Sequence, residues 1–211
     1  MIYELRTYTL VPGTQAQYLK LSGEVGRKVR GDNYGTLEGY WTTEFGTLNQ
    51  LVHLWSFADL NERQRLRAAL AQNEAWTKEY IPQIRPMMLA QENKILSAVL
   101  PVVPPTHAGH VYELRWYRFH VGRVGEWLEG FKAVLPVREK LMHRVGLWQT
   151  EIAQLNEVVH MWAFHDLNER AAARTALAQE PAWQAFLGKA SPCLAHMQAV
   201  VLNPAPFSPM R

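Results

Sequence analysis

The stretch Leu48-Asn49-Gln50-Leu51-Val52-His53-Leu54-Trp55-Ser56-Phe57-Ala58-Asp59-Leu60-Asn61-Glu62-Arg63 occurs twice. Residues Leu155 to Arg170 repeat it at an offset of 107, identical at 11 of 16 positions. A match of this length makes the chain two copies of one unit. Trp41 with Trp148, Glu44 with Glu151, and Trp76 with Trp183 keep the same offset. Upstream, Tyr3-Glu4-Leu5-Arg6-Thr7-Tyr8 returns as Tyr112-Glu113-Leu114-Arg115-Trp116-Tyr117, and Gly13 as Gly122, at an offset of 109. Two residues are therefore missing from the second copy between Gly122 and Gly146.

Within each copy the periodicity reads β-α-β-β-α-β. Ile2 to Leu10 alternates as a strand, Pro12-Gly13 opens a helix over about Thr14 to Val29, and Gly39 to Glu44 and Leu48 to Phe57 are strands joined through Phe45-Gly46-Thr47. Asp59-Leu60-Asn61-Glu62 has the spacing of a capping box, repeated by Asp166 and Glu169, and Asp59 to Arg63 has the spacing of a helical ion pair. A second helix follows to about Tyr80, and Ile84 to Leu100 supplies the last strand. Strands in this order form an antiparallel sheet with both helices on one face. The class is α+β: tandem ferredoxin-like repeats that close into an α/β barrel within one chain. The expected boundaries are 1–100 and 110–203 for the repeats, 101–109 for a Pro-rich linker, and 204–211 for a tail lying extended over the surface.

Composition narrows the function. The chain has 211 residues, 22 Lys+Arg against 19 Asp+Glu, and 48% hydrophobic residues, which is the profile of a folded domain with little net charge. No run of cations marks a nucleic-acid surface, and Arg63, Arg65 and Arg67 read as a solvated helix face. The longest apolar stretch, around Ile95 to Val103, is too short for a membrane span and contains Pro101. One cysteine, Cys193, excludes an internal disulfide and fits a reducing compartment, so the expected location is cytoplasmic. Nucleotide-binding glycine loops and the serine-hydrolase elbow are absent.

The repeated Tyr-Glu-Leu-Arg strand followed by Pro12-Gly13, together with Val52 to Arg63, resembles the opening strand and the third strand with its helix start in the NIPSNAP family, a branch of the dimeric α/β barrel superfamily. The resemblance covers both copies. Animal members act in mitochondria, which requires a presequence not visible here, and no catalytic residues carry over. The wider superfamily includes cofactor-free monooxygenases, isomerases and haem enzymes, which implies a ligand pocket between sheet and helices.

Candidate chemistry rests on two repeated strand faces. Glu4, Arg6 and Tyr8 share one, as do Glu113, Arg115 and Tyr117. If that face is inside the barrel, the glutamate and arginine form a buried ion pair fixing sheet registry. Alternatively Arg6 or Arg115 clamps a substrate carboxylate, with Tyr8 or Tyr117 beyond it, while Glu4 or Glu113 acts as a base. His53, Trp55 and Phe57 share the other face, as do His160, Trp162 and Phe164. His53 or His160 beside its tryptophan has the intrinsic pKa for proton transfer, and the packing alternative is a core histidine bonded across strands. The other histidines, His107 in the linker and His110, His120, His143, His165 and His196 after it, lack zinc-ligand spacing. No metal and no cofactor is expected, with haem a remote third reading. The leading function is a binder of, or cofactor-independent enzyme of monooxygenase or isomerase type acting on, a small hydrophobic or aromatic acid. Its competitor is a non-catalytic assembly module, and a homo-oligomer is expected.

Overall fold

The computed structural model describes residues 1–106 and 108–211, so the expectation for His107 lies outside the described residues. The chain divides into two compact units, Met1–Ser97 with Asn203–Arg211, and Ala98–Leu202.

In unit 1 the strands are β1 (Ile2–Leu10), β2 (Thr36–Phe45), β3 (Gln50–Phe57) and β4 (Met88–Leu100), and the helices are α1 (Gln15–Leu21), α2 (Arg27–Arg30), α3 (Leu60–Ala71) and α4 (Ile81–Ile84). All pairings are antiparallel, in the order β4-β1-β3-β2. Unit 2 repeats this with β5 (Val111–Phe119), β6 (His143–Ile152), β7 (Glu157–Phe164) and β8 (Leu194–Pro204) in the order β8-β5-β7-β6, and helices α5 (Val124–Glu139), α6 (Leu167–Gln179) and α7 (Pro181–Ala190).

Register decides which residues share a face. Arg6 pairs with His53 and Glu4 with Trp55 across β1 and β3, while Tyr40 pairs with His53 across β2 and β3. Directly opposed residues point the same way, so the two candidate strand faces are one face. That face turns toward the helices of its own unit, where Tyr8, Tyr40 and Trp55 pack with Tyr18, Tyr80 and Ile84. The reading of Glu4 and Arg6 as inward-facing ties between sheets is thereby corrected: the ion pair is completed by α3.

The capping boxes form. Asp59 accepts from the Glu62 amide at 2.8 Å, and Glu62 reaches back to the Ala58 amide at 2.6 Å. Asp166 accepts from the Glu169 amide at 2.8 Å. Three expectations change. The last strand starts at Met88, because Pro82 and Pro86 open helical turns over Ile81–Ile84 and Arg85–Met87. Arg63 pairs with Glu4 rather than Asp59, and only Arg65 of the arginine trio is a solvated side chain, 69% exposed. The tail packs more closely than a segment lying over the surface: Ala205, Ser208 and Met210 are buried in unit 1, while Pro206, Pro209 and Arg211 are exposed.

The first helix is not continuous. Between α1 and α2 the residues Ser22–Gly26 form a π-turn, whereas α5 is one 16-residue helix. From Tyr18 to Arg30 is 12 residues, and from Trp127 to Arg138 is 11. One of the two residues missing from the second copy is thus the one the π-turn accommodates, and such bulges concentrate at functional sites.

Candidate functional site

The site is built in unit 1, under α1, α2 and α3. Glu4 is fully buried. Its Oε1 receives Arg6 Nη1 at 2.7 Å, Arg63 Nη2 at 2.5 Å and Asn93 Nδ2 at 3.1 Å, and Arg67 Nη1 lies 3.9 Å from Oε2. Burial alone would raise the Glu4 pKa, but the Arg63 hydrogen bond and the charges of Arg6, Arg63 and Arg67 pull it below the usual carboxylate value. Glu4 is an anchored anion. Arg6 also donates from Nε to Tyr8 Oη at 2.7 Å.

His53 is 3% exposed, and its Nδ1 accepts the Trp55 indole N–H at 2.6 Å. An indole N–H only donates, so Nδ1 carries the lone pair and the neutral ring has its proton on Nε2. Burial, with the charges of Arg6 and Arg30, holds the His53 pKa well below its ordinary 6.5. The ring therefore stays neutral and offers an Nε2–H that has no acceptor among the described residues. Tyr40 lies flat on it, with centroids 4.7 Å apart and planes 6° off parallel, and Tyr8 meets it edge-on at 4.8 Å.

Arg30 follows the π-turn, and its guanidinium carbon sits 3.3 Å from the Trp55 ring centroid. It donates to the Tyr34 carbonyl at 3.1 Å, while its Nε–H has no acceptor. Burial pulls the Arg30 pKa down to about 9, despite the nearby Tyr8 and Glu4. A cation so placed is under-compensated.

These groups border a cavity of about 260 Å³. Four arginines line it (Arg6, Arg27, Arg30, Arg67), with His53, Tyr8, Tyr18, Tyr40, Tyr80 and Ser22, and no carboxylate does. Ser22 Oγ and Tyr80 Oη are hydrogen-bonded at 2.8 Å. Burial pushes the Tyr80 phenol up to about 12 and raises Tyr18 and Tyr40 well above their ordinary value, so all three are neutral hydroxyls. The wall is rich in donors and positive charge, which suits a ligand oxygen bearing negative charge.

Unit 2 keeps the frame. Glu113 bonds Arg115 at 2.8 Å and is contacted closely by Arg170, and Trp162 donates to His160 Nδ1 at 2.6 Å. A cavity of about 280 Å³ is bordered by Arg115, Tyr117, Arg138 and Arg174, but His160, Trp162 and Glu113 are not on its wall. Trp127 and Phe131 lie over His160, at 6.4 and 5.7 Å between centroids. Arg138 is enclosed by the faces of Trp162, Trp183 and Phe131 at 3.7, 5.3 and 5.7 Å, and its Nε–H reaches Met142 Sδ at 3.2 Å.

Of the sequence candidates, Arg6, Tyr8, His53 and Trp55 meet at one cavity, with Glu4 behind them, while Arg115 and Tyr117 border the other. Sequence reasoning missed Arg30, Arg67, Tyr40, Tyr80 and Ser22. Aligning the copies through the slip in offset, so that Arg30 meets Arg138, is the signal that exposes them. The donors do not suit a haem iron, because ligation through Nε2 needs a lone pair there and the Trp55 N–H already fixes it on Nδ1. Among the described residues no group of three or more His, Cys, Asp or Glu is placed to hold a metal ion. No helix among them is long and apolar enough to cross a membrane.

The sequence model of the NIPSNAP family matches residues 3–101 and 112–209. Protein NipSnap homolog of Dictyostelium discoideum is 27% identical, over 96% of this chain and 87% of its own. Human protein NipSnap homolog 3A is 28% identical, over 100% of this chain and 86% of its own. A candidate monooxygenase from Fusobacterium nucleatum superposes with a TM-score of 0.71 at 10% identity, covering 97% of this chain and 92% of its own. That likeness speaks for the fold alone, the dimeric α/β barrel class of tandem ferredoxin-like repeats that the sequence predicts.

Proposed function

Since this chain belongs to the NIPSNAP family through both of its repeats, we propose that the cavity of unit 1 binds the anion of a small hydrophobic or aromatic acid. The observation that carries the reading is the pair of buried donors without acceptors, Arg30 Nε–H and His53 Nε2–H, in a cavity lined by no carboxylate. An acceptor from outside the protein relieves both, and leaving them unmet costs roughly 1–3 kcal/mol each. The tyrosines, Trp76 and Ile84 supply the apolar body of the site.

The same donors favour chemistry that builds charge on oxygen. A neutral histidine donating from Nε2 stabilises an enolate or phenolate-type oxygen and does not act as a base through Nδ1. Glu4, held by Arg6 and Arg63, is likewise a poor base. The activity this supports is a cofactor-independent enzyme of the monooxygenase or isomerase type, with His53 and Arg30 stabilising the oxyanion and Arg6 and Arg67 adding positive potential.

Titration with benzoate tests the reading. The wild type should bind, and Arg30→Met should weaken binding by about 10- to 100-fold, as expected for a hydrogen bond to a charged group. Equal affinity for both proteins, or binding to neither, overturns it. A second reading, self-association, draws on the exposed Phe45, Leu48, Ile152 and Leu155, which recur at matched positions of both hairpins. A monomer by sedimentation at working concentration removes that one.

A further inference from the structure

The C-terminal segment supplies a wall of this cavity that the repeat itself does not encode. Ala205 donates its N–H to the Tyr40 carbonyl at 2.9 Å, and the Tyr40 N–H donates to Ser208 Oγ at 2.9 Å. Ser208 closes a turn back to the Ala205 carbonyl at 2.9 Å. Pro204, Pro206 and Pro209 restrict the free segment, so less entropy is lost on docking it. The turn delivers Phe207, whose ring lies 5.0 Å from Tyr40 at a 58° tilt and borders the cavity. Gly23, in the π-turn, makes the room: a Cβ there would stand 2.8 Å from Phe207 Cδ1. Tyr40 is thereby caught between Phe207 and His53, the ring that carries the unmet Nε2–H.

Among the described residues of the segment that follows β4, unit 2 has no such ring. The strands β4 and β8 match at an offset of 106, Met88 with Leu194 opposite Leu10 and Phe119. Carried forward, that offset sets Pro101 where unit 1 has Phe207.

We propose that Phe207 determines the ring size of the acid accepted in unit 1, and that residues 205–208 act as a strap positioning Tyr40 over His53. The proposal rests on the reading of the cavity as an acid site and names the class further: single-ring aromatic acids. A cavity of about 260 Å³ has room for one aromatic ring with its carboxylate. Phe207 stands on the wall that a fused second ring would press against.

The experiment measures dissociation constants of benzoate and 1-naphthoate by calorimetry for the wild type, Phe207→Ala, Phe207→Leu, Ser208→Ala and Arg30→Met. Wild type should prefer benzoate, and Phe207→Ala should move the ratio of the two constants toward naphthoate by about tenfold, the discrimination a hydrophobic pocket gives for a small steric change. Phe207→Leu, which keeps a packed tail, should move it in the same direction by less. Ser208→Ala should weaken both acids a few-fold with the ratio unchanged, since it frees Tyr40 without opening the wall. A ratio unchanged in both Phe207 variants, while Arg30→Met still weakens binding by about 10- to 100-fold, overturns the strap and leaves the acid site standing. Binding of neither acid by the wild type overturns both.

Discussion

Units 1 and 2 share a buried charge network and differ in what faces it. Each has a strand glutamate held by strand and helix arginines, a histidine accepting from a tryptophan, and an arginine stacked on that tryptophan. Around this frame, Tyr18, Ser22, Tyr40, Tyr80 and Gln91 in unit 1 stand where unit 2 has Trp127, Phe131, Leu147, Leu187 and Met197. The His160 Nε2–H lacks an acceptor among the described residues just as the His53 Nε2–H does, but in unit 2 the histidine is covered by Trp127 and Phe131 and lies off the cavity wall, whereas in unit 1 His53 and Arg30 both border the cavity. The frame is what the fold requires, and the difference between its two settings is where a ligand belongs.

If the frame is structural, removing it must hurt both units alike. Glu4→Ala and Glu113→Ala each leave buried guanidinium groups without their counter-charge, and each should cost about 3–5 kcal/mol in urea denaturation. A cost well below that at Glu4 alone would mean that Glu4 is held for chemistry rather than stability. The next effect separates the units. Arg138→Met should leave benzoate affinity within about twofold of wild type, in contrast to Arg30→Met, because the Arg138 Nε–H already has a partner in Met142 Sδ while the Arg30 Nε–H has none among the described residues. Binding should saturate at one acid per chain, and a second equivalent would erase the distinction.

Much of this was legible in the sequence. The internal repeat, at offsets of 107 and 109, carries the strand order, both caps and the recurrence of His53, Trp55, Glu4 and Arg6. The site itself was harder, because it depends on which face each strand turns to the helices, and Arg6 and His53 join only through the register between β1 and β3. Arg30 lies where the offset between copies slips, so no matched pair drew attention to it. Arg63 and Arg67 looked like a solvated face because helical spacing shows which residues are neighbours but not what they face. Phe207 came from a proline-rich tail whose composition says only that it is extended.

Acid should test the histidines. Both are buried and neutral, with pKa values held well below 6.5 chiefly by burial. A group whose folded pKa is depressed contributes stability above its unfolded pKa and loses it as pH falls. Stability should therefore decline below about pH 6.5, by up to about 1.4 kcal/mol per pH unit for each histidine. His53→Gln and His160→Gln should each flatten this limb by a similar amount, measured as urea midpoints across pH 4.5–7. A limb carried by one histidine alone would show that one of the two cores is open to protons.

The smallest effect lies at the hairpin tips, which border neither cavity. Gly46 and Ala153 occupy matched positions with φ of 110° and 111°. That backbone region is strained for a side chain bearing Cβ and free for glycine. Unit 2 therefore stores strain that unit 1 avoids, with no ligand-facing reason for it. Ala153→Gly should relieve the strain at the cost of a more flexible unfolded chain, leaving a net gain of about 0.5–1 kcal/mol. Gly46→Ala should lose a comparable amount. For a chain of this size the shift in Tm is about 1–4 °C in each direction, within reach of calorimetry. Acid binding should not change in either variant, since neither residue borders a cavity. If Ala153→Gly does alter benzoate affinity, the hairpin is coupled to the site, and the split between a shared frame and a local difference at the cavity wall no longer holds.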